Sequence, residues 1–272
     1  AALPPELEVE FIDENVEELP ADGAPNVVGI SMMLTCQVKR GWEIADHYRG
    51  QGIKVICGGI GTMLHVKETM KHADAVFLGE VEGRMEQVLA DWKNGCLKPL
   101  YDYFGDPPAT ELIGPARRDI LHRERYNYKG IQMVDLVHAS RGCRFNCYPC
   151  CVSYLGGRRF RPRPVDKVIA EMDGIDNNRL FIVDNSLAKD RQWEINLFRE
   201  MIPLKKKWCC HPIEEDDEVL GLAAQAGAWY VYQAVFDTSD HIRDRIRRYH
   251  HHGIAVEGTV LLGLEQHTED GI

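Results

Sequence analysis

Apolar and polar residues alternate along the chain in a pattern that predicts two successive blocks of strands and helices. In the first block, residues 7–13 alternate strictly, which is typical of an edge strand open to solvent on one side. Short apolar runs at 27–31, 53–57 and 75–78 are typical of buried parallel strands, with helical periodicity at 38–48, 66–72 and 85–92. Strands alternating with helices predict a doubly wound parallel sheet, whose ligand crevice lies at the carboxyl ends of the strands.

The second block repeats one strand-and-helix unit. Strands are predicted at 132–138, 180–183, 208–211, 229–235 and 255–262, and helices at 165–172, 191–202, 216–225 and 241–252. Five strands of this kind favour a barrel or an open part of one, in which function lies on the loops after the strands. Proline and glycine interrupt the pattern at 101–130. We therefore predict domains at 1–100 and 131–272 with a linker at 101–130.

A cysteine motif follows the first strand of the second block. Cys143, Cys147 and Cys150 have the spacing C-x3-C-x2-C. Cysteine thiolates are the ligands of iron–sulfur clusters, and three of them can hold three irons of a [4Fe–4S] cluster while the fourth iron stays open to a small molecule. A structural zinc completed by Cys209 or His211 is the alternative.

Composition narrows the choice of partners and compartment. The formal net charge of -10 makes nucleic acid an unfavourable partner, and no apolar run reaches membrane-spanning length. Nine cysteines, an odd number without a secretory signal, favour a reducing cytosol in which cysteines serve as ligands. The expectation is a cytoplasmic protein without a transmembrane segment.

Polar residues follow the other predicted strands of the second block, as expected around a polar, nucleoside-sized ligand. They are Asp184, Asn185, His211, Glu214, Gln233, Asp237 and Glu265, with Gly263 beside the last. Each of them alone could equally be a helix cap or a surface group.

Two further features have open interpretations. The arginines of 158–163 could bind a carboxylate or phosphate, or could form a solvated loop paired with nearby acids. Gly58 and Gly59 could border a flat ligand, or could only make a tight turn from strand to helix.

The cysteine motif resembles the signature of the radical S-adenosylmethionine (SAM) superfamily. Segments 156–165, 181–185 and 198–204 resemble the subgroup that carries an N-terminal cobalamin-binding domain, and segments 11–16 and 73–80 of the first block correspond to that domain. The family's aromatic residue before the third cysteine is replaced here by Pro149, with Tyr148 one place earlier.

The resemblance implies a fold and a set of site residues. The fold is a Rossmann-like cobalamin-binding domain followed by a partial (β/α)6 radical SAM barrel. The residues it implies are Cys143, Cys147 and Cys150 for the cluster, Tyr148, Asp184, Asn185, Gln233 and Asp237 for SAM, and Ser31, Gly58, Gly59, Gly79 and Glu80 for cobalamin.

The resemblance also implies a reaction. Reductive cleavage of SAM would yield a 5′-deoxyadenosyl radical, and a methyl group would pass to an unactivated carbon of a small-molecule, lipid or peptide substrate. Flavodoxin or ferredoxin would supply the electron. Cyclisation or rearrangement on the same scaffold, a zinc-binding module and a non-enzymatic cobalamin-sensing module are the alternatives.

The ends of the chain predict a segment of a longer protein. The first strand of the cobalamin fold would precede Ala1, and the barrel would stop after its fifth strand. Without that first strand, the strands at 7–13 and 27–31 are expected to lack a partner that joins them to those at 53–57 and 75–78. The chain alone is then expected not to bind cobalamin stably.

Overall fold

The computed structural model describes residues 3–4, 6–20, 23–148, 150–188, 190–237 and 239–263. The chain forms two compact units, Ala1–Arg125 and Tyr126–Ile272. Their boundary lies inside the segment 101–130 that was predicted as a linker. In the ranges just given, every helix is too short or too polar to cross a membrane.

The first unit is built on a four-stranded parallel sheet in the order β1-β2-β3-β4. Its elements are β1 (Val27–Ser31), α1 (Val38–Gly50), β2 (Lys54–Gly58), α2 (Ile60–Leu64), α3 (Val66–His72), β3 (Ala75–Leu78), α4 (Met85–Lys93) and β4 (Leu100–Asp102). All four residues of β3 are buried, because helices cover both faces of this strand.

Two predictions for the first unit are wrong. Residues 7–13 form no strand, since alternation produces a strand only where a neighbour supplies hydrogen bonds. The strand at 27–31 is joined directly to the next, with Val27 opposite Lys54 and Ser31 opposite Gly58. The sheet also gains β4 from the start of the predicted linker.

The second unit is built on a five-stranded parallel sheet in the order β7-β10-β11-β12-β13. The elements of this unit are β5 (Asn127–Tyr128), β6 (Ile131–Gln132), β7 (Asp135–Val137), β8 (Ser140–Arg141), α5 (Val152–Leu155), β9 (Arg161–Pro162), α6 (Val165–Asp173), β10 (Arg179–Ile182), α7 (Arg191–Met201), β11 (Lys207–Cys210), α8 (Asp217–Gln225), β12 (Ala228–Val235), α9 (Asp240–His251) and β13 (Ala255–Val260). The spatial order of the main strands equals their order along the chain, as in an open part of a (β/α) barrel. The predicted α/β fold with parallel sheets is confirmed.

The core of the second unit lies between this sheet and its helices. Leu180, Trp208 and Val231 from three adjacent strands pack there with Phe198 of α7. The Trp208 indole stacks on Phe198 with ring centroids 5.2 Å apart, and its Nε1–H donates to the Ala226 carbonyl. Alternate residues of the same strands point to the opposite face, which this helical layer does not cover.

Because only one face of the sheet is buried, a Leu→Ala substitution should lower the free energy of unfolding much more on the helix side than on the opposite face. Leu180 is 1% exposed on the helix side, whereas Leu136, on the neighbouring strand and the opposite face, is 55% exposed. We expect Leu180→Ala to lower the free energy of unfolding by about 2–5 kcal/mol, because it leaves a cavity. The control Leu136→Ala should change it by less than about 0.5 kcal/mol. Urea unfolding followed by tryptophan fluorescence measures both, and equal losses would contradict the one-sided core.

Candidate functional site

The three motif cysteines lie on a loop that begins directly beyond β7 and whose two ends are joined. Ser140 pairs with Pro162 and Arg141 with Arg161 in the short antiparallel ladder of β8 and β9. Gly142 adopts φ +74°, and a side chain there would put its Cβ 2.1 Å from the Arg159 carbonyl oxygen. The closed segment therefore projects the cysteines from the carboxyl edge of the sheet, where ligands bind in folds of this kind.

The thiols of the loop differ in exposure. All nine cysteines of the chain are free, Cys143 being buried and Cys147 and Cys150 exposed. The Cys143 amide donates to the Gly157 carbonyl, and the Cys150 amide to the Cys147 carbonyl.

The sulfurs share one loop without being gathered into a metal site. Within the ranges that the structure describes, which leave out Pro149, no three His, Cys, Asp or Glu residues are placed to hold a metal ion. Three unpaired thiols on one closed loop fit the donor set of an iron–sulfur cluster. Ligation would require Cys147 and Cys150 to move towards Cys143.

Asp184, predicted to contact SAM, holds the start of the cysteine loop. Its carboxylate is buried and accepts hydrogen bonds from the Ala139 amide, at 2.8 Å, and from the Ser140 hydroxyl. His138 Nδ1 lies 3.8 Å from the same carboxylate. The next residue, Asn185, is exposed beyond the end of β10.

The other residues predicted to contact SAM have different surroundings. Gln233 is buried, and its side chain bonds the Ala234 carbonyl and Arg245 of α9, so it faces the helix layer. Asp237 accepts from the Ser239 amide just before α9, and hydrogen bonding with the Ser239 side chain, together with this amide, lowers the pKa of its carboxyl. Tyr148 is 83% exposed. Glu265, a polar residue after the fifth predicted strand that was not assigned to SAM, lies outside the described residues.

A group of aromatic rings occupies the face of the sheet opposite the helices. This group was not predicted from the sequence, because the residues at the strand ends were considered one at a time. Phe181, His211 and Tyr232 from adjacent strands have ring centroids 5.5–5.9 Å apart. Burial lowers the pKa of His211, so its imidazole is neutral near pH 7. Cys209 and His211 share a face by strand alternation, and the same rule applied to β10 and β12 would have found the other two rings.

The predicted cobalamin residues come together at one edge of the first unit. Ser31 lies opposite Gly58 in the last register of β1 and β2, and Gly79 and Glu80 follow β3, the next strand. Because the strands are parallel, these positions share the carboxyl edge of the sheet.

The two glycines at the end of β2 have different environments. Gly59 adopts φ +92°, and an added Cβ would lie 2.5 Å from the Met32 carbonyl oxygen. At Gly58 an added Cβ would meet only the Phe77 carbonyl oxygen, at 3.7 Å, which is ordinary contact. Gly79 resembles Gly59, with φ +97° and a clash 2.7 Å from the Tyr103 carbonyl oxygen. The turn itself thus requires Gly59, but nothing in its packing requires Gly58.

Sequence comparisons find methyltransferases. No known family profile matches the chain. Bacteriochlorophyllide d C-8(2)-methyltransferase of Chlorobaculum tepidum is 31% identical over 161 residues, which cover 58% of this chain and 35% of that protein. Bacteriochlorophyllide d C-12(1)-methyltransferase of the same organism is 24% identical over 290 residues, covering 97% and 62%. The chain thus spans between about a third and three fifths of these relatives' length.

Structural comparisons find the same fold in two enzymes of known structure. The radical SAM methyltransferase TsrM from Kitasatospora setae, with cobalamin and a [4Fe-4S] cluster bound, superposes with a TM-score of 0.69 at 16% identity, over 92% of this chain and 61% of that one. OxsB, a cobalamin-dependent SAM radical enzyme, superposes with a TM-score of 0.67 at 16% identity, over 88% and 41%. The resemblance to cobalamin-dependent radical SAM enzymes is thereby confirmed at the level of the fold.

The glycine environments predict a difference in stability. Gly59→Ala should lower the free energy of unfolding by about 1–3 kcal/mol, since it places an L-residue at positive φ against the Met32 main chain. The matched variant Gly58→Ala should stay within about 0.5 kcal/mol of the parent. Urea unfolding without added cobalamin measures both variants. If the free energy of unfolding of Gly59→Ala equals that of the parent, the turn can accept a side chain and the prediction is wrong.

Burial predicts which thiols react in the folded chain. Burial raises the pKa of Cys57 to about 12 and also raises the pKa of Cys209 and Cys210, so these thiols stay protonated at pH 8. The exposed cysteines Cys36, Cys96, Cys147, Cys150 and Cys151 should be alkylated by N-ethylmaleimide first. Peptide mass spectrometry at pH 8, with a urea-unfolded sample as control, measures the order. Early modification of Cys209 would refute its burial.

Proposed function

We propose that this chain is part of a cobalamin-dependent radical SAM methyltransferase and that its cysteine loop holds a [4Fe–4S] cluster. The observation that carries the proposal is the placement of three unpaired cysteines on a closed loop, beyond the first strand of a five-stranded parallel sheet. The similarity of nearly the whole chain to TsrM supports it.

Cys143, Cys147 and Cys150 would be the cluster ligands. The Cys143 amide is already bonded to Gly157, while the two exposed thiols are free to reach an assembling cluster. When bound, such a cluster would supply the electron for reductive cleavage of SAM, and cobalamin would supply a carrier for the methyl group. Asp184 would act by holding the main chain that carries Cys143, and not by touching SAM.

The carboxyl edge of the first unit would border cobalamin. Gly58 supports this role because the packing around it does not require a glycine. The absence of a side chain leaves the main chain accessible beside Ser31. Glu80 would lie at the neighbouring strand end. Gly59 and Gly79 would contribute through the shape of the turns that they permit.

The reaction would be methylation of an unactivated carbon, with an electron from flavodoxin or ferredoxin. Methyl transfer is favoured over cyclisation or rearrangement because three curated relatives are methyltransferases, the third being the cytidylyl-2-hydroxyethylphosphonate enzyme of Streptomyces wedmorensis. Two of them are named for bacteriochlorophyllide d. A tetrapyrrole is therefore the first class of substrate to test.

A zinc module is less well supported by the geometry. His211 stacks on Phe181 and packs at a tilt against Tyr232, and burial raises the pKa of Cys209, which disfavours the thiolate that zinc needs. Across the ranges that the structure describes, neither residue joins the motif cysteines in a group of three metal-ligating side chains.

Anaerobic reconstitution with iron and sulfide tests the proposal. We expect about four irons and four sulfides per chain and a broad visible absorption that dithionite bleaches. Cys143→Ala, Cys147→Ala and Cys150→Ala should each lose most of this iron. The control Cys151→Ala removes the adjacent exposed thiol and should retain it. Mass spectrometry for 5′-deoxyadenosine after addition of SAM and dithionite tests the cleavage step.

One zinc per chain without sulfide would contradict the cluster. A cluster that forms equally well in the three motif variants would contradict the assignment of its ligands.

A further inference from the structure

A buried ion pair lies next to the cysteine loop. Arg163, directly after β9, and Glu171 of α6 have side chains that are 1% and 4% exposed, with Arg163 Nη1 2.8 Å from Glu171 Oε2. Removing two charges from water is costly, and well-packed apolar residues often replace such pairs without loss of stability. The fold alone therefore does not explain this pair.

The arginine binds the main chain that leads into the loop. Its Nη1 also donates to the His138 carbonyl at 2.5 Å, and its own amide donates to the Ala139 carbonyl at 2.9 Å. The Arg163 carbonyl in turn accepts from the Trp193 indole at 3.1 Å, which connects it to α7. One residue thus grips two consecutive carbonyls of the chain four and five residues before Cys143.

The Asp184 carboxylate binds polar groups of the same short segment that Arg163 leaves available. It accepts from the Ala139 amide and the Ser140 hydroxyl, so both the donor and the acceptor of Ala139 are taken by buried charged residues. The segment 138–140 is held through Arg163 and Glu171 and also through Asp184. Only Arg141 and Gly142 separate this segment from Cys143.

We propose that Arg163, Glu171 and Asp184, together called the loop clamp, are positioning residues that fix the start of the cysteine loop and thereby hold Cys143 where a cluster ligand is needed. This inference rests on the proposed function. According to this proposal, Cys143 is already positioned as a ligand before the cluster binds. The exposed Cys147 and Cys150 move to ligate the cluster when it assembles. It also assigns one arginine of the 158–163 group, since Arg163 is bound to the loop and is not available to an anionic substrate.

The test uses charge-neutral variants of similar volume and a matched control. The double variant Arg163→Met/Glu171→Gln removes both charges together, so that neither is left buried alone. The control Glu194→Gln alters another buried carboxylate, on α7, which accepts from the Glu214 amide beyond β11. Circular dichroism and thermal unfolding confirm that each variant is folded.

The first readout needs no cofactor. In the apo-chain, hydrogen exchange of the amides at 139–143 and alkylation of Cys143 should both become at least tenfold faster in the double variant. The control should stay within twofold of the parent. Parental rates in a folded double variant would overturn the proposal.

The second readout follows the reconstituted cluster. Initial iron content should match the parent because all three ligands remain, but bathophenanthroline should extract the iron at least tenfold faster. The electron paramagnetic resonance signal of the reduced cluster should broaden as the geometry at Cys143 becomes heterogeneous. Arg163→Lys, which keeps the charge beside Glu171, should restore slow extraction. A merely structural role would leave extraction and signal unchanged at equal folding, and that result would overturn the clamp.

Asp184→Asn gives an independent test if the double variant fails to fold. It keeps the side-chain volume and one acceptor oxygen but loses the charge that binds Ala139 and Ser140. Faster exchange at 139–143 supports the clamp, and unchanged exchange overturns it. If the parent takes up neither iron nor sulfide, the proposed function fails, whereas the exchange result still decides whether these residues order the loop.

Discussion

The hydrogen bonds from the Ala139 amide and the Ser140 hydroxyl to the buried carboxylate of Asp184 are the constraint on which the candidate site depends. They tie the end of β10 to the start of the loop after β7, two strands that are neighbours in the sheet. Charged acceptors make stronger hydrogen bonds than neutral ones, and burial removes competing water. The loop can therefore be long and partly exposed, and still begin from a defined position.

The asymmetry of the second sheet follows from its helices. Residues such as Leu180 and Val231 face the helical layer and form the core, which leaves the opposite face to Phe181, His211 and Tyr232. A neutral imidazole and a phenol among aromatic rings can donate and accept hydrogen bonds without adding a charge to that face. The same asymmetry puts Gln233 with Arg245 on the helix side, because Gln233 is next to Tyr232 in β12 and successive residues of a strand face opposite sides.

In the first unit, the close approach of the loop after β1 to the end of β2 shapes the candidate cobalamin edge. The Met32 amide donates to the Gly58 carbonyl, and the Gly61 amide donates to the Met32 carbonyl. This contact leaves no room for a side chain at Gly59 but leaves Gly58 open. The turn thus accounts for Gly59, whereas the packing around Gly58 would also accept a side chain.

By itself, the sequence determined the alternation of strands and helices in the two units and the cysteine motif. Short apolar runs placed β1 and β3 at the residues where the structure has them, because strands of a parallel sheet are covered on both faces. Helical periodicity placed α3, because a helix that buries one face repeats its apolar residues with a period of 3.6. The spacing of Cys143, Cys147 and Cys150 is likewise visible in the sequence, because all three lie within eight consecutive residues.

Only the tertiary structure decided which strands pair and what each polar side chain binds. It joined β1 to β2, left residues 7–13 without a strand, and turned Asp184 and Arg163 towards the main chain before Cys143. Such hydrogen bonds connect residues about 25 to 45 positions apart and depend on which atoms the packed helices and strands bring within 3 Å. Local sequence patterns carry no information on such contacts. Asp184 and Gln233 were therefore both predicted to contact SAM, whereas in the fold Asp184 binds the start of the cysteine loop and Gln233 binds Arg245 of α9.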